Sequence, residues 1–231
     1  MPLRAYYNEI DPFAVAVLKR RVADGSLPPG DVDDRDIRTV QAADLRGYAQ
    51  VHLFAGIGGF GLAVRLAGWP DDRPLWTGSC PCQPFSTAAR GRGKRFCSER
   101  DLWPFWVRLI GECRPAKIAG EQVVDGEWAD RLCDDMEAVG YAVWAGVLPA
   151  CSVQADHERA RLYFTCNADR DGKSELRVDA EVGRVPWHYS FAGAVADADD
   201  VPGRMDLLRI GGNAIVPQVA AEVLRALMDA D

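Results

Sequence analysis

Cys82 sits in the stretch Gly78-Ser79-Cys80-Pro81-Cys82-Gln83-Pro84-Phe85-Ser86, where two prolines fix φ around its thiol. As a thiolate, such a cysteine is a nucleophile; as a buried thiol it is only a small hydrophobe. A stiff loop at the carboxyl edge of an α/β sheet is one way to present a nucleophile. Other residues of the chain could serve it. Glu121 follows the short apolar run Ala116–Ala119, so it falls at a strand end, where an acid can lend or take a proton. Arg159 and Arg161 are spaced i, i+2, which puts both guanidiniums on one side of an extended segment. Between Ala88 and Arg100, the residues Arg90, Arg92, Lys94, Arg95 and Arg100 make a locally basic, glycine-interleaved loop directly after Cys82.

A second chemistry lies upstream. Gly56-Ile57-Gly58-Gly59-Phe60-Gly61 fits G-x-G-x-x-G between a strand and a helix. Glycines let the backbone approach a ligand, and a helix N-terminus favours polar or anionic groups. The same pattern also fits a tight structural turn. A nicotinamide site would want an acid about 20 residues later, yet that window holds Trp76 to Cys82. The best-placed acid is Glu9, which precedes the glycines.

The elements that must position these groups alternate. Leu3 to Asn8 reads as a strand, and Asp11 with Pro12 opens a helix that Gly25 can stop. Leu27 to Gly30 is a Pro-rich turn into Gly30-Asp31-Val32, and Asp33, Asp34, Arg35 and Asp36 read as a solvated loop face. Val51 to Phe54 is a strand into the glycine turn, and Gly68 with Pro70 ends the helix that follows. Pro74 to Thr77 can end a strand. Asp101 can cap a helix that Pro115 closes, and the Ala116–Ala119 strand follows. Trp128 to Ala138 is a helix, Tyr141 to Leu148 and Leu162 to Thr165 are strands, and a last helix runs through Val219 to Leu227. From Asn167 to about Leu208 the chain is polar, rich in Asp and Gly, and without periodicity. His52, on an apolar strand, reads as a satisfied core residue and His188 as a surface one. The pattern predicts an α/β fold with an open, mostly parallel sheet and helices on both faces.

With 231 residues, 48% of them hydrophobic, the chain can build one sizeable core. No apolar run approaches membrane-span length, and the start lacks a signal-peptide pattern. Seven scattered cysteines argue for a reducing cytoplasm and against a disulfide framework. No Cys or His spacing suits zinc, so no metal is expected. A net charge of −7 excludes a generally basic nucleic-acid binder, although local charge matters more.

Taken together, the motifs resemble those of the DNA cytosine-5 methyltransferase family. Phe54-Ala55-Gly56-Ile57-Gly58-Gly59 resembles the motif that binds S-adenosylmethionine, and Pro81-Cys82-Gln83 resembles the catalytic motif. Glu121-Gln122-Val123 is similar to the family's Glu-Asn-Val, and His157-Glu158-Arg159-Ala160-Arg161 to its Gln-x-Arg-x-Arg. Gly212-Asn213-Ala214-Ile215-Val216-Pro217 resembles its last motif. The resemblance implies the methyltransferase fold and an S-adenosylmethionine cofactor. It implies methyl transfer to carbon 5 of cytosine through a cysteine adduct, with DNA containing cytosine as the partner. It makes Cys82, Glu121, Arg159 and Arg161 catalytic. Phe54, Gly56, Ile57, Gly58, Gly59, Glu9, Ile10, Asp31, Val32, Pro81, Leu102, Asn213 and Ile215 would hold the cofactor. Asp31 would meet the adenine amino group. Gln83, Ser86, Arg90, Arg92, Lys94 and Arg95 would meet DNA.

The chain departs from the family's pattern in four ways. Glu9 and Gly30-Asp31 resemble segments that normally follow the glycine turn, yet here they precede it, as in a permutation. His52 stands where the family has Asp. Gln122 replaces Asn, and His157 replaces Gln. Only residues 165–208 are left for target recognition, and they are acidic. The expected division is a catalytic and cofactor-binding core over 1–166, a shortened recognition-like segment over 167–208, and a returning motif and helix over 209–231. Two other readings stand beside this one: a related RNA methyltransferase, and a catalytically silent or partner-dependent binding module that takes its specificity from a separate recognition subunit.

Overall fold

Short apolar strands alternating with capped helices build one sheet. The computed structural model describes residues 4–81, 101–168 and 214–230. Within them lie β1 (Arg4–Asn8), β2 (Gly30–Asp33), β3 (Tyr48–Leu53), β4 (Leu75–Gly78), β5 (Lys117–Gln122), β6 (Tyr141–Leu148) and β7 (Arg161–Ala168). Their order in space is β2-β1-β3-β4-β5-β7-β6. Neighbours from β2 to β5 pair in parallel; β7 runs antiparallel to both β5 and β6. The mostly parallel sheet expected from the pattern is therefore found.

Helices cover both faces. α1 (Pro12–Ala23) starts where Asp11 accepts from the Phe13 and Ala14 amides, with Pro at its first turn. α2 (Gly59–Ala67) ends at Gly68 in the left-handed conformation. Both lie on one face with α5 (Pro217–Asp229), whose Val219, Val223, Leu224 and Leu227 are buried. α3 (Trp103–Cys113) and α4 (Gly126–Ala138) cover the other face, in a cluster of Trp103, Trp106, Trp128 and Phe164. These rings meet edge-on or tilted with centroids 5.4–6.4 Å apart, as aromatic quadrupoles favour. Asp101 contributes to the start of α3 by accepting from the Trp103 amide.

The β4–β5 ladder ends on the pair Gly78 and Gly120. A Cβ on Gly78 would lie 2.7 Å from the Trp106 ring, and one on Gly120 2.1 Å from that of Phe164. Glycine at both positions lets the aromatic layer reach the ends of these strands, directly under the loop and acid of the candidate site.

Three expectations change. Gly30–Asp33 is an edge strand, not a lead-in to a loop, and Asp33 is no solvated residue: it accepts from the Tyr6 hydroxyl at 2.5 Å and pairs with Arg35. Asp36 caps a short 3-10 turn, Ile37–Thr39. Arg159 has φ 32, so it precedes the extended backbone of β7 and alternation does not set its direction.

Candidate active site

The carboxyl ends of β1, β3, β4 and β5 lie side by side, and each delivers polar or aromatic groups to one edge. At the end of β5, Glu121 is 5% exposed. Its Oε2 accepts from the Ser79 hydroxyl at 2.7 Å, and its Oε1 lies 3.2 Å from Arg161 Nε. Burial pushes the Glu121 carboxyl above its ordinary range; the Ser79 hydrogen bond, then Arg161, then Arg159 pull it back. Glu121 is thus an acid poised to hold a proton yet able to release it, which suits general acid work.

Gln122, also buried, turns its amide to the loop. Its Nε2 donates to the Cys80 carbonyl at 3.0 Å, and its Oε1 accepts from the Val123 amide. The side chain that replaces the family's Asn thus holds the backbone two residues before Cys82. Arg159 donates to the Ala214 carbonyl at 2.7 Å, tying the approach to β7 to the segment ahead of α5. Its burial and the neighbouring Arg161 lower its proton affinity. Both guanidiniums act on Glu121, although Arg159 reaches this region from a left-handed residue rather than from a strand.

Glu9, at the end of β1, is the keystone of the glycine turn. Its Oε1 accepts from the Asp11 amide at 2.8 Å and its Oε2 from the Gly56 amide at 2.7 Å. A carboxylate has about four acceptor sites, so roughly two remain for a ligand. Gly56 and Gly58 have φ 55 and 88, and a Cβ on Gly58 would lie 2.4 Å from Leu27. Phe54, at φ 52, follows β3 half-buried, edge-on to Trp106 at 6.0 Å. Ile57 is buried; Ile215 packs where a Gly59 Cβ would sit, at 2.6 Å. Ile10 stands 58% exposed beside Glu9, Leu102 packs against the aromatic layer, and Pro81 is exposed.

Asp31 is not brought to this edge. It pairs with Tyr6 in mid-strand, and its carboxylate accepts from Tyr48 and pairs with Arg4, which begin β3 and β1. Val32 packs on the α1 side with Leu18 and Leu27. The acid best placed beyond the carboxyl end of β2 is Asp36, followed by buried Ile37. The repeated Asp of Asp31-Val32-Asp33-Asp34-Arg35-Asp36 hid this, since sequence alone does not show where a short edge strand stops. Ser79 was likewise missed; the signal for it is the parallel register, which sets the residue after Gly78 beside the residue after Gly120. His52 is a core residue but not a fully satisfied one: Nδ1 meets Thr77 Oγ1 at 2.7 Å, while Nε2 has no partner among the described residues. Cys82, Gln83, Ser86, Arg90, Arg92, Lys94, Arg95, His188 and Asn213 lie outside the described residues.

Residues 68–183 match the C-5 cytosine-specific DNA methylase family, and the chain belongs to that family. The matched span includes Cys82, Glu121, Arg159 and Arg161, and begins after the glycine turn. The type II methyltransferase M.HgiCII of Herpetosiphon aurantiacus is 26% identical over 166 residues, covering 52% of this chain. This chain spans only 37% of the length of that relative. Among solved structures, DNMT2 of Spodoptera frugiperda superposes with a TM-score of 0.59 at 12% identity, over 96% of this chain and 91% of that one. The Entamoeba histolytica methyltransferase EhMeth gives a TM-score of 0.51 at 10% identity, over 99% of each chain. These two likenesses show the fold. Among the described residues no helix is long and apolar enough to cross a membrane.

Proposed function

We propose that this chain transfers a methyl group from S-adenosylmethionine to carbon 5 of cytosine in DNA, with Cys82 as nucleophile and Glu121 as its acid partner. The observation that carries this reading is the buried Glu121 carboxylate, tied through Ser79 to the loop that runs into Cys82. Family membership supports the reaction class. The target base must leave the stack to be reached. Cys82 thiolate adds to ring carbon 6 while Glu121 gives its proton to ring nitrogen 3, which makes carbon 5 nucleophilic. Carbon 5 takes the methyl group and then gives its proton to solvent; the 5,6 double bond re-forms as Cys82 departs as thiolate, and Glu121 recovers the proton from nitrogen 3. Arg161, helped by Arg159, orients the base and balances charge.

The residues of the glycine turn fit the cofactor. S-adenosylmethionine, when bound, supplies the electrophilic methyl group. Glu9 would hold the ribose hydroxyls with its remaining acceptor sites, and Phe54, Ile10 and Leu102 would hold the adenine. Asp36 takes the role toward the adenine amino group first expected of Asp31, because Asp31 is engaged at the far half of its strand. Pro81, Asn213 and Ile215 would serve the methionine end. Glu9 precedes the glycine turn in sequence yet bonds to it in space, which supports the permuted reading. The core would span 1–166 and 209–231, with 167–208 as a shortened recognition segment. DNA contact would rest on Gln83, Ser86 and the basic residues Arg90, Arg92, Lys94 and Arg95. Specificity would then be modest unless a separate subunit supplies it.

The test is to incubate the chain with labelled cofactor and cytosine-containing DNA or RNA, and to map the methylated base. The expected product is 5-methylcytosine in DNA, abolished in Cys82→Ala with cofactor binding nearly intact. Wild type should form a covalent adduct with DNA containing 5-fluorocytosine, and the variant should not. Transfer confined to RNA, or full activity in Cys82→Ala, would reject the assignment.

A further inference from the structure

The backbone ladder between β4 and β5 stops at Gly78 and Gly120, but side chains extend it by two more rungs. Ser79 Oγ donates to Glu121 Oε2 at 2.7 Å, and Gln122 Nε2 donates to the Cys80 carbonyl at 3.0 Å. The loop that leads to Cys82 and the strand that ends at Glu121 are thereby clasped in both directions. The Gln122 rung fixes backbone. The Ser79 rung alone touches the acid.

We propose that Ser79 is a positioning residue for Glu121, holding the carboxyl in one orientation through proton gain and loss and setting the pH range over which Glu121 can act. The proposal rests on the methyl-transfer reading for its functional consequence. Its physical basis is the difference between the two groups that meet the carboxylate oxygens. Arg161 has donors only, so near Oε1 it favours the anion and has nothing to offer a protonated oxygen. A hydroxyl both donates and accepts. Ser79 can donate to the Glu121 anion and accept from the acid, so its bond survives the change of charge.

Among the described residues, the other groups that bear on Glu121 come from one side. Arg161 and Tyr163 stand on β7, with Tyr163 directly opposite Glu121 in the ladder, and Arg159 precedes that strand. Burial keeps the Tyr163 phenol protonated. From β4, Ser79 is the group that bonds to the acid. The Ser79 bond and both arginines all draw the carboxyl toward its anion.

An infrared pH titration tests the assignment without substrate. The carboxylic C=O band of Glu121 is identified by its loss in Glu121→Gln, and its midpoint is followed in wild type, Ser79→Ala and Ser79→Thr. Removing one hydrogen bond to a charged group should raise the midpoint by about one pH unit in Ser79→Ala. Ser79→Thr, which keeps the hydroxyl, should restore it. In methyl transfer, Ser79→Ala should lower kcat about tenfold with KM little changed, and should move the alkaline limb of the pH profile upward with the band. A Ser79→Ala chain that folds as wild type with an unmoved midpoint overturns the proposal. Should that variant not fold, Ser79→Gly serves instead, and an unmoved midpoint there has the same force. If the midpoint moves but wild type methylates nothing, Ser79 keeps its role toward Glu121 and the methyl-transfer reading is what fails.

Discussion

At the scale of single residues, the site depends on polar groups placed where water does not compensate them. Glu121 is one, and His52 is a group of the same kind in the core. The His52 ring is buried against Tyr7, stacked at 4.8 Å, and burial pushes its pKa down to about 3. A histidine held neutral in the folded state binds fewer protons there than when unfolded, so stability must fall with acid. The contribution is complete above the unfolded value near 6.5 and is lost as pH falls toward 3. From this group alone, wild type should lose about 1.5 kcal/mol between pH 6.5 and pH 5. His52→Phe keeps the stacked ring and removes the titration. Urea unfolding at several pH values should show a flatter profile for the variant, whatever constant offset the unpaired Thr77 adds. Parallel profiles would mean that His52 gains a proton partner in the folded chain. The position of Glu121 was legible at this scale. Glu121 could be named because an acid after an apolar run marks a strand end. Asp31 was misread because four aspartates within six residues make sequence spacing uninformative; only the register of β2 against β1 shows which lies at the edge.

At the scale of elements, β3 and the glycine turn lead into α2, a helix whose two ends are both left-handed glycines. Gly58 opens α2 at φ 88 and Gly68 closes it at φ 73. A side chain at either position costs about 1–2 kcal/mol from backbone strain alone. They differ in surroundings: nothing lies within 4 Å of a Cβ on Gly68, whereas one on Gly58 would strike Leu27 at 2.4 Å. Gly68→Ala should therefore show only the strain, as a lower melting temperature with cofactor affinity unchanged. Gly58→Ala should melt lower still and lose cofactor binding, because the turn must shift away from Leu27 and drag the Gly56 amide off Glu9. Calorimetric melting and binding titrations of the pair separate strain from packing. Equal losses in both variants would show that the turn tolerates the shift. The helices were legible because their caps are chemical: Asp11 with Pro12, and Gly68. β2 was not, because a four-residue edge strand of Gly30-Asp31-Val32-Asp33 has one apolar residue and no alternation to read. The backbone of Arg159 was not legible for a related reason, since a positive φ at a non-glycine residue leaves no mark in the sequence.

At the scale of the whole molecule, the order of segments along the chain and their order in space disagree, and the site depends on the spatial one. β1 lies between β2 and β3, so the end of the first strand faces the turn that follows the third. Glu9 is 47 residues ahead of Gly56, yet its carboxylate accepts from that amide at 2.7 Å. A sheet fixes neighbours by register, and connections between strands can be reordered without moving the strands themselves. If Glu9 holds the ribose of S-adenosylmethionine, Glu9→Ala removes charge-assisted hydrogen bonds worth roughly 1.5–3 kcal/mol, or about tenfold or more in affinity. The same change releases the Gly56 and Asp11 amides, so weaker binding by itself could reflect a loosened turn. Adenosine-containing ligands with and without ribose hydroxyls remove that ambiguity. Wild type should prefer S-adenosylhomocysteine over its 2′,3′-dideoxy analogue. In Glu9→Ala the preference should collapse, with both ligands bound about equally weakly. Isothermal titration of the two ligands against the two proteins forms a thermodynamic cycle. A preference that persists undiminished in Glu9→Ala would assign the ribose to another acid and leave Glu9 as a brace of the glycine turn alone.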